Sequence, residues 1–194
     1  MFKPNDCDII LSNYNYYNND NIKKIINTKQ FKVWFNNSKV IDTNNNPLLV
    51  CHSSDNDFKK FNRKKLGLNT IDNANSIGYA STAYIGYWFN DELIWGDFAK
   101  YCFLKIENPY YFQDNNDLAD ELTYIGAQIG FDIEEINVSS SFTANQCKKI
   151  ANKFVNNIKY DGYDGIIINR DIEYKNKSYV VFNNNQIKCI NKML

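Results

Sequence analysis

Apolar positions along the chain fall into short runs whose spacing switches between helical and strand periods. From Asp20 the period is helical: Ile22, Ile25 and Ile26, then Phe31, Trp34 and Phe35, predict two short helices ending near residues 36–37. Residues 38–41 and 47–52 read as a hairpin around an Asn-rich turn. Its second arm, Pro47 to Ser54 (PLLVCHSS), is an apolar run that stops abruptly in His52, Ser53 and Ser54, although a run this short also suits a buried helix. Residues 85–89 (IGYWF) predict a strand, and Asp91 is placed to cap a helix reaching Tyr101, with Leu93, Ile94, Phe98 and Tyr101 facing inward. Residues 102–106 (CFLKI) alternate as a third strand closed by Asn108 and Pro109.

The second half is more legible. A moderately periodic helix spans about 116–129. A sharper one follows a Thr143/Gln146 capping box, with Cys147, Ile150, Ala151, Phe154, Val155 and Ile158 on one face. Two Asp-Gly pairs, 161–162 and 164–165, give turn chemistry ahead of the Ile166–Ile168 strand, and strands at 178–182 and 186–190 end the sheet. Residues 1–20 are ambiguous, and 54–84 have few apolar anchors, the mark of a functional loop or a disordered one. Without repeats or a linker, this is an α+β chain whose two ends supply strands to one core.

Composition narrows the class. With 194 residues, 44% apolar and 15% aromatic, the chain suits one globular domain with a real core. Zero formal charge provides no global field for nucleic acid or anionic membrane. The local basic segment at 59–65 (KKFNRKK) reads as a solvated loop or a contact patch. Abundant Asn in loop positions reflects an AT-rich coding bias. Five cysteines at 7, 51, 102, 147 and 189 lack CxxC spacing, and 51, 102 and 147 lie in apolar segments, as buried thiols do. Together these imply a reducing, cytoplasmic setting. A single histidine excludes a two-His metal site, and no Cys/His cluster replaces it. No apolar stretch approaches the ~20 residues of a membrane span, and the N-terminus lacks signal-peptide character, so a soluble protein is expected.

There is no GxSxG elbow, P-loop, GxGxxG or HExxH. What remains is His52 with two serines at a strand end, where cleft mouths form, and an aromatic set of Tyr84, Tyr87, Trp88, Phe89 and Tyr101. His52 could equally be a satisfied structural histidine. The aromatics could stack a flat heteroaromatic ring or simply be core.

Six segments in order carry a resemblance: Phe31, Trp34, Phe35 and Ser38–Val40; residues 46–53 (NPLLVCHS); residues 86–89 (GYWF); Ile106, Asn108 and Pro109; residues 163–166 (YDGI); and 178–182 with 186–188 (SYVVF, QIK). Together they resemble the ADP-ribosyltransferase domains of phage-related and polyvalent bacterial proteins. The resemblance implies a split antiparallel β-sheet with flanking helices, similar to diphtheria toxin and the poly(ADP-ribose) polymerases, over residues 38–194. Residues 1–37 form a helical lead-in.

It further implies NAD as co-substrate, with nicotinamide leaving as positive charge builds on the ribose. On this reading His52 anchors the adenosine-side ribose and Ser53 faces the nicotinamide amide. Trp88 is the second-strand aromatic and Tyr101 stacks on nicotinamide, with Tyr87 the alternative one register away. The family's strand glutamate is replaced by Ser178, which supplies no charge. Glu173 or Glu92 could substitute, or Gln186 could orient the ribose. The implied activity is mono-ADP-ribosylation of a macromolecular acceptor, expected to be a host protein as for a toxin or phage effector. The alternative is a weak or inactive NAD-binding module of the same fold. No metal or membrane partner is expected. The turn-forming Asp161 and Asp164, and Glu173 in a polar hairpin, also have plain structural readings.

Overall fold

The computed structural model describes residues 20–67, 74, 76–91, 98–139, 142–170 and 176–190. Its first helices are α1 (Asp20–Ile26) and α2 (Lys29–Phe35). The Thr28 hydroxyl caps α2 by accepting the Phe31 N–H, and Asn36 ends it with φ 46°, a conformation Asn tolerates. The hairpin expected at 38–52 shrinks to one bridge, Ile41 to Pro47, around a turn in which Asp42 Oδ1 accepts the Asn44 and Asn46 N–H groups. Strand β1 (Val50–Ser54) therefore begins later than the apolar run does.

Five further helices and strands occupy the middle of the chain: α3 (Ile77–Thr82), β2 (Tyr87–Asn90), β3 (Phe98–Leu104), β4 (Pro109–Asp114) and α4 (Asn115–Gln128). The helix expected to reach Tyr101 is corrected at its C-terminal part. Phe98–Tyr101 are extended, because β1 draws them into a five-pair antiparallel ladder from Val50↔Cys102 to Ser54↔Phe98. The shared ladder hydrogen bonds outweigh a weak local helical period. Leu93 and Ile94 lie outside the described residues.

The remainder comprises α5 (Ile133–Ser139), α6 (Ala144–Tyr160), β5 (Gly165–Arg170), β6 (Ser178–Val181) and β7 (Ile187–Cys189). Helix α6 has the full reciprocal capping box between Thr143 and Gln146. Its expected apolar face is buried from Cys147 to Ile158.

The seven strands make one mixed sheet in the order β4-β5-β6-β2-β1-β3-β7, with β4 and β5 parallel and the other pairs antiparallel. This is an α+β fold. Register assigns the faces. Leu49, Cys51, Tyr101 and Phe103 share a face with Trp88, Asn90, Val180 and Ile166, because Cys51 opposes Asn90 and Trp88 opposes Val180. Two separate groups of helices cover that face. α1 and α2 bring Ile22, Phe31 and Phe35 onto β1 and β3. α3, α4 and α6 cover the β5–β6 end with residues including Ile77, Leu118, Leu122, Ile150 and Phe154. The opposite face carries Val50, Tyr87, Phe89, Cys102, Tyr179 and Val181 under Val40, Leu48 and Phe61.

Candidate active site

The sheet is weakest between β1 and β2, where the ladder has a single register pair, Cys51↔Asn90, against five pairs for β1 with β3 and four for β2 with β6. Past that pair the strands part, and a side chain replaces the backbone rung. His52 Nδ1 lies 2.7 Å from the Trp88 carbonyl oxygen. A carbonyl can only accept, so Nδ1 carries the proton and the neutral ring leaves Nε2 as an acceptor. Burial lowers the His52 pKa against the raising effect of the Trp88 bond, so the ring is neutral at pH 7.

Around His52 the chain builds an aromatic wall. Phe58 and Phe61, in the segment following β1, meet the imidazole edge-on at centroid distances of 5.6 and 5.0 Å, and Phe89 lies at 5.5 Å. Lys100, opposite His52 on β3, pairs with Asp57 at 2.5 Å and lies over the Phe58 ring. The segment after β1 therefore folds back over the split. Asn184 Nδ2 donates to the Phe61 carbonyl and Arg63 to the Phe182 carbonyl, fastening it. A shallow open depression of about 460 Å³ beside Phe61 is lined by Arg63, Tyr87, Phe182 and neighbouring asparagines.

On the helix-covered face, the sheet beside this split is polar. Asn90 and Ser178 are direct ladder partners, both buried, and Asn90 Nδ2 donates to Ser178 Oγ at 2.7 Å. Ser53 lies on the same face and is 8% exposed; its Oγ has no hydrogen-bond partner among the described residues. A buried hydroxyl without a partner is costly and fits a site made for a polar ligand. Trp88 is half-buried there, its indole N–H donated to the Thr82 carbonyl.

The structure thus brings Ser53, Trp88 and Ser178 onto one face; His52, the next residue along β1, lies on the other face with Phe61 and Phe89 and reaches the Trp88 carbonyl at the split. Of the other three residues, Tyr101 shares that face but is covered, and Tyr87 and Gln186 lie elsewhere. Tyr87 points to the His52 face, away from Trp88 and Ser178, where its ring meets Phe61 at 5.2 Å. Tyr101 is buried beneath α1 and α2 beside Cys51 and Phe103. Gln186 is a backbone clasp: its Oε1 accepts the Phe182 and Asn183 N–H groups, and its Nε2 donates to the Lys105 and Asp164 carbonyls. With those four bonds its amide is fully used. Glu92 and Glu173 lie outside the described residues.

Asp164 accepts the Glu107 and Asn108 N–H groups, a turn role. Asp91, one step past Asn90, accepts the Lys177 N–H. Burial and the Asp91 charge raise the Tyr179 phenol well above its ordinary range.

Sequence reasoning missed Asn90, Phe58 and Phe61. The available signals were a polar residue ending an apolar strand and two aromatics inside a basic segment. Among the described residues there is no group of three or more metal-ligating side chains and no helix long and apolar enough to cross a membrane.

Residues 42–193 match the family described as ADP-ribosyltransferase in polyvalent proteins, and the chain belongs to that family. The matched region covers every strand of the sheet, and α1 and α2 pack onto it from outside the match. Neither curated proteins nor solved structures yielded a significant match.

Proposed function

We propose that this protein is a mono-ADP-ribosyltransferase that cleaves NAD between nicotinamide and ribose and passes ADP-ribose to a macromolecular acceptor, a protein of a host cell's cytosol. The observation that carries the reading is His52 at the β1–β2 split, held in the Nδ1–H form by the Trp88 carbonyl. Its Nε2 lone pair then accepts a ribose hydroxyl and orients the dinucleotide. Ser53, buried and without a partner among the described residues, donates to the nicotinamide amide, and Trp88 offers a platform for the leaving ring. NAD supplies the scissile bond, whose breaking builds positive charge on the ribose.

Ser178 gives a hydroxyl where the resemblance implies a carboxylate. Lacking a charge-assisted hydrogen bond that tightens in the transition state costs about 2–4 kcal/mol, roughly 10²–10³ in rate. Transfer is therefore slow, and polymer formation, which needs an acceptor hydroxyl held by that carboxylate, is disfavoured. The fully buried Ser178, engaged by Asn90, also supports a second reading, an NAD-binding module without turnover.

Nicotinamide release, measured with and without host-cell lysate, separates the two. The transferase reading expects slow release that rises with lysate and falls by on the order of 10²-fold in His52→Ala. Binding of NAD without release supports the silent module, and release unchanged in His52→Ala sinks the assigned role of this histidine.

A further inference from the structure

Cys102 of β3 and Cys189 of β7 are direct partners across an antiparallel ladder, although far apart in sequence. Directly opposed residues in such a ladder have Cα atoms about 4.5–5.5 Å apart. That lies within the roughly 4.4–6.8 Å a disulfide spans. The two Sγ atoms already lie 2.7 Å apart.

Their surroundings differ in a useful way. Cys102 is fully buried, and burial, with the adjacent Cys189 sulfur, holds its thiol well above the ordinary range. Cys189 is half-buried on a three-residue strand at the edge of the sheet. Cys189 is thus the more exposed of the two residues, with Cys102 in the interior beside it. Cys147, on α6, belongs to a different core cluster.

We propose that Cys102 and Cys189 form a site of reversible oxidation, joining as a cross-strand disulfide in the presence of a small-molecule disulfide. The Cys189 thiolate attacks one sulfur of the oxidant and breaks its S–S bond. One small thiol leaves, carrying the proton that Cys189 gave up. The Cys102 sulfur then attacks the Cys189 sulfur, breaking the mixed disulfide, and the second small thiol leaves with the Cys102 proton. The two cysteines lose two electrons and the oxidant gains them. The bridge fastens the outermost strand to β3, whose other edge pairs with the His52 strand.

The test is peptide mass spectrometry of the full chain under non-reducing conditions after incubation with oxidised glutathione. The expected product is one cross-linked peptide pair joining Cys102 to Cys189, lighter by two hydrogens and reversed by dithiothreitol. Cys51→Ser should retain the bridge and Cys189→Ser should lose it. The melting temperature of the oxidised wild type should rise by roughly 5–10 °C. Glutathione left on Cys189, a bridge to any other cysteine, or both thiols still open to alkylation would each overturn the proposal.

Discussion

His52 shows how one side chain can be both structural and chemical. Its Nδ1–H replaces a rung of the sheet at the point where β1 and β2 part, and that bond fixes the tautomer exposing an acceptor at Nε2. The ring is desolvated by Phe58, Phe61 and Phe89, with Lys100 and Asp57 beside it as a mutually neutralising pair. Burial lowers its pKa, so below the ordinary value of about 6.5 the unfolded chain binds a proton that the folded chain refuses. The stability from the neutral ring is present above that pH and is lost as pH falls towards the lower folded value. Thermal unfolding from pH 7.5 to 5.5 should therefore show a steeper decline in melting temperature for the wild type than for His52→Gln. Superimposable curves would mean that the ring is not held neutral by its surroundings. Gln186 teaches the opposite lesson: its place in a family-like motif suggested chemistry, but four backbone bonds commit it to holding the β6–β7 corner.

Among the elements, α3 was the one least visible in the sequence. It is six residues long, capped by Ser76, and lies in a stretch that reads as loop. Its stability comes from contact with α4, where a Cβ added at Gly78 would collide with the Ala119 carbonyl and the Thr123 hydroxyl. In an exposed helix Gly→Ala stabilises by about 1 kcal/mol. Here the sign reverses: Gly78→Ala should destabilise by about 1–3 kcal/mol, a fall of roughly 3–10 °C in melting temperature. A stabilised variant would show that α3 and α4 do not pack this closely. By contrast α6 was legible almost to the residue, because its cap, period and length all agree over seventeen positions. Strand β4 and the first half of β3 were missed for the same reason as α3. Their partners, β5 and β1, are distant in sequence.

For the whole molecule, two separate helical groups cover one face of the sheet, one over β1 and β3 and the other over the β5–β6 end. α1 and α2, outside the matched family region, are part of that arrangement because they cover Leu49, Cys51, Tyr101 and Phe103. Phe31 is 3% exposed, stacked on Phe35 and edge-on to Phe103 at 4.8 Å. Phe31→Ala should cost about 3–5 kcal/mol in denaturant unfolding and should expose dye-binding apolar surface over β1 and β3. An unaltered midpoint would make the N-terminal helices a loosely attached appendage.

What the sequence by itself determined is the local content: the capped α6, the Ile166–Ile168 and Tyr179–Val181 strands, the thiols at 51, 102 and 147 as buried groups, and His52 at a strand end. It also carried the family, through short motifs kept in order. These are properties of neighbouring residues, where period and capping act within a few positions. Only the tertiary structure decided which strands pair, and hence which way each side chain points. A strand's period of two says that Tyr87 and Trp88 face opposite sides, but not which side holds the site. The ladder from Cys51 to Asn90 and from Asn90 to Ser178 made that choice. It put Trp88 beside Ser178, sent Tyr87 and Tyr101 into cores, and set Cys102 against Cys189.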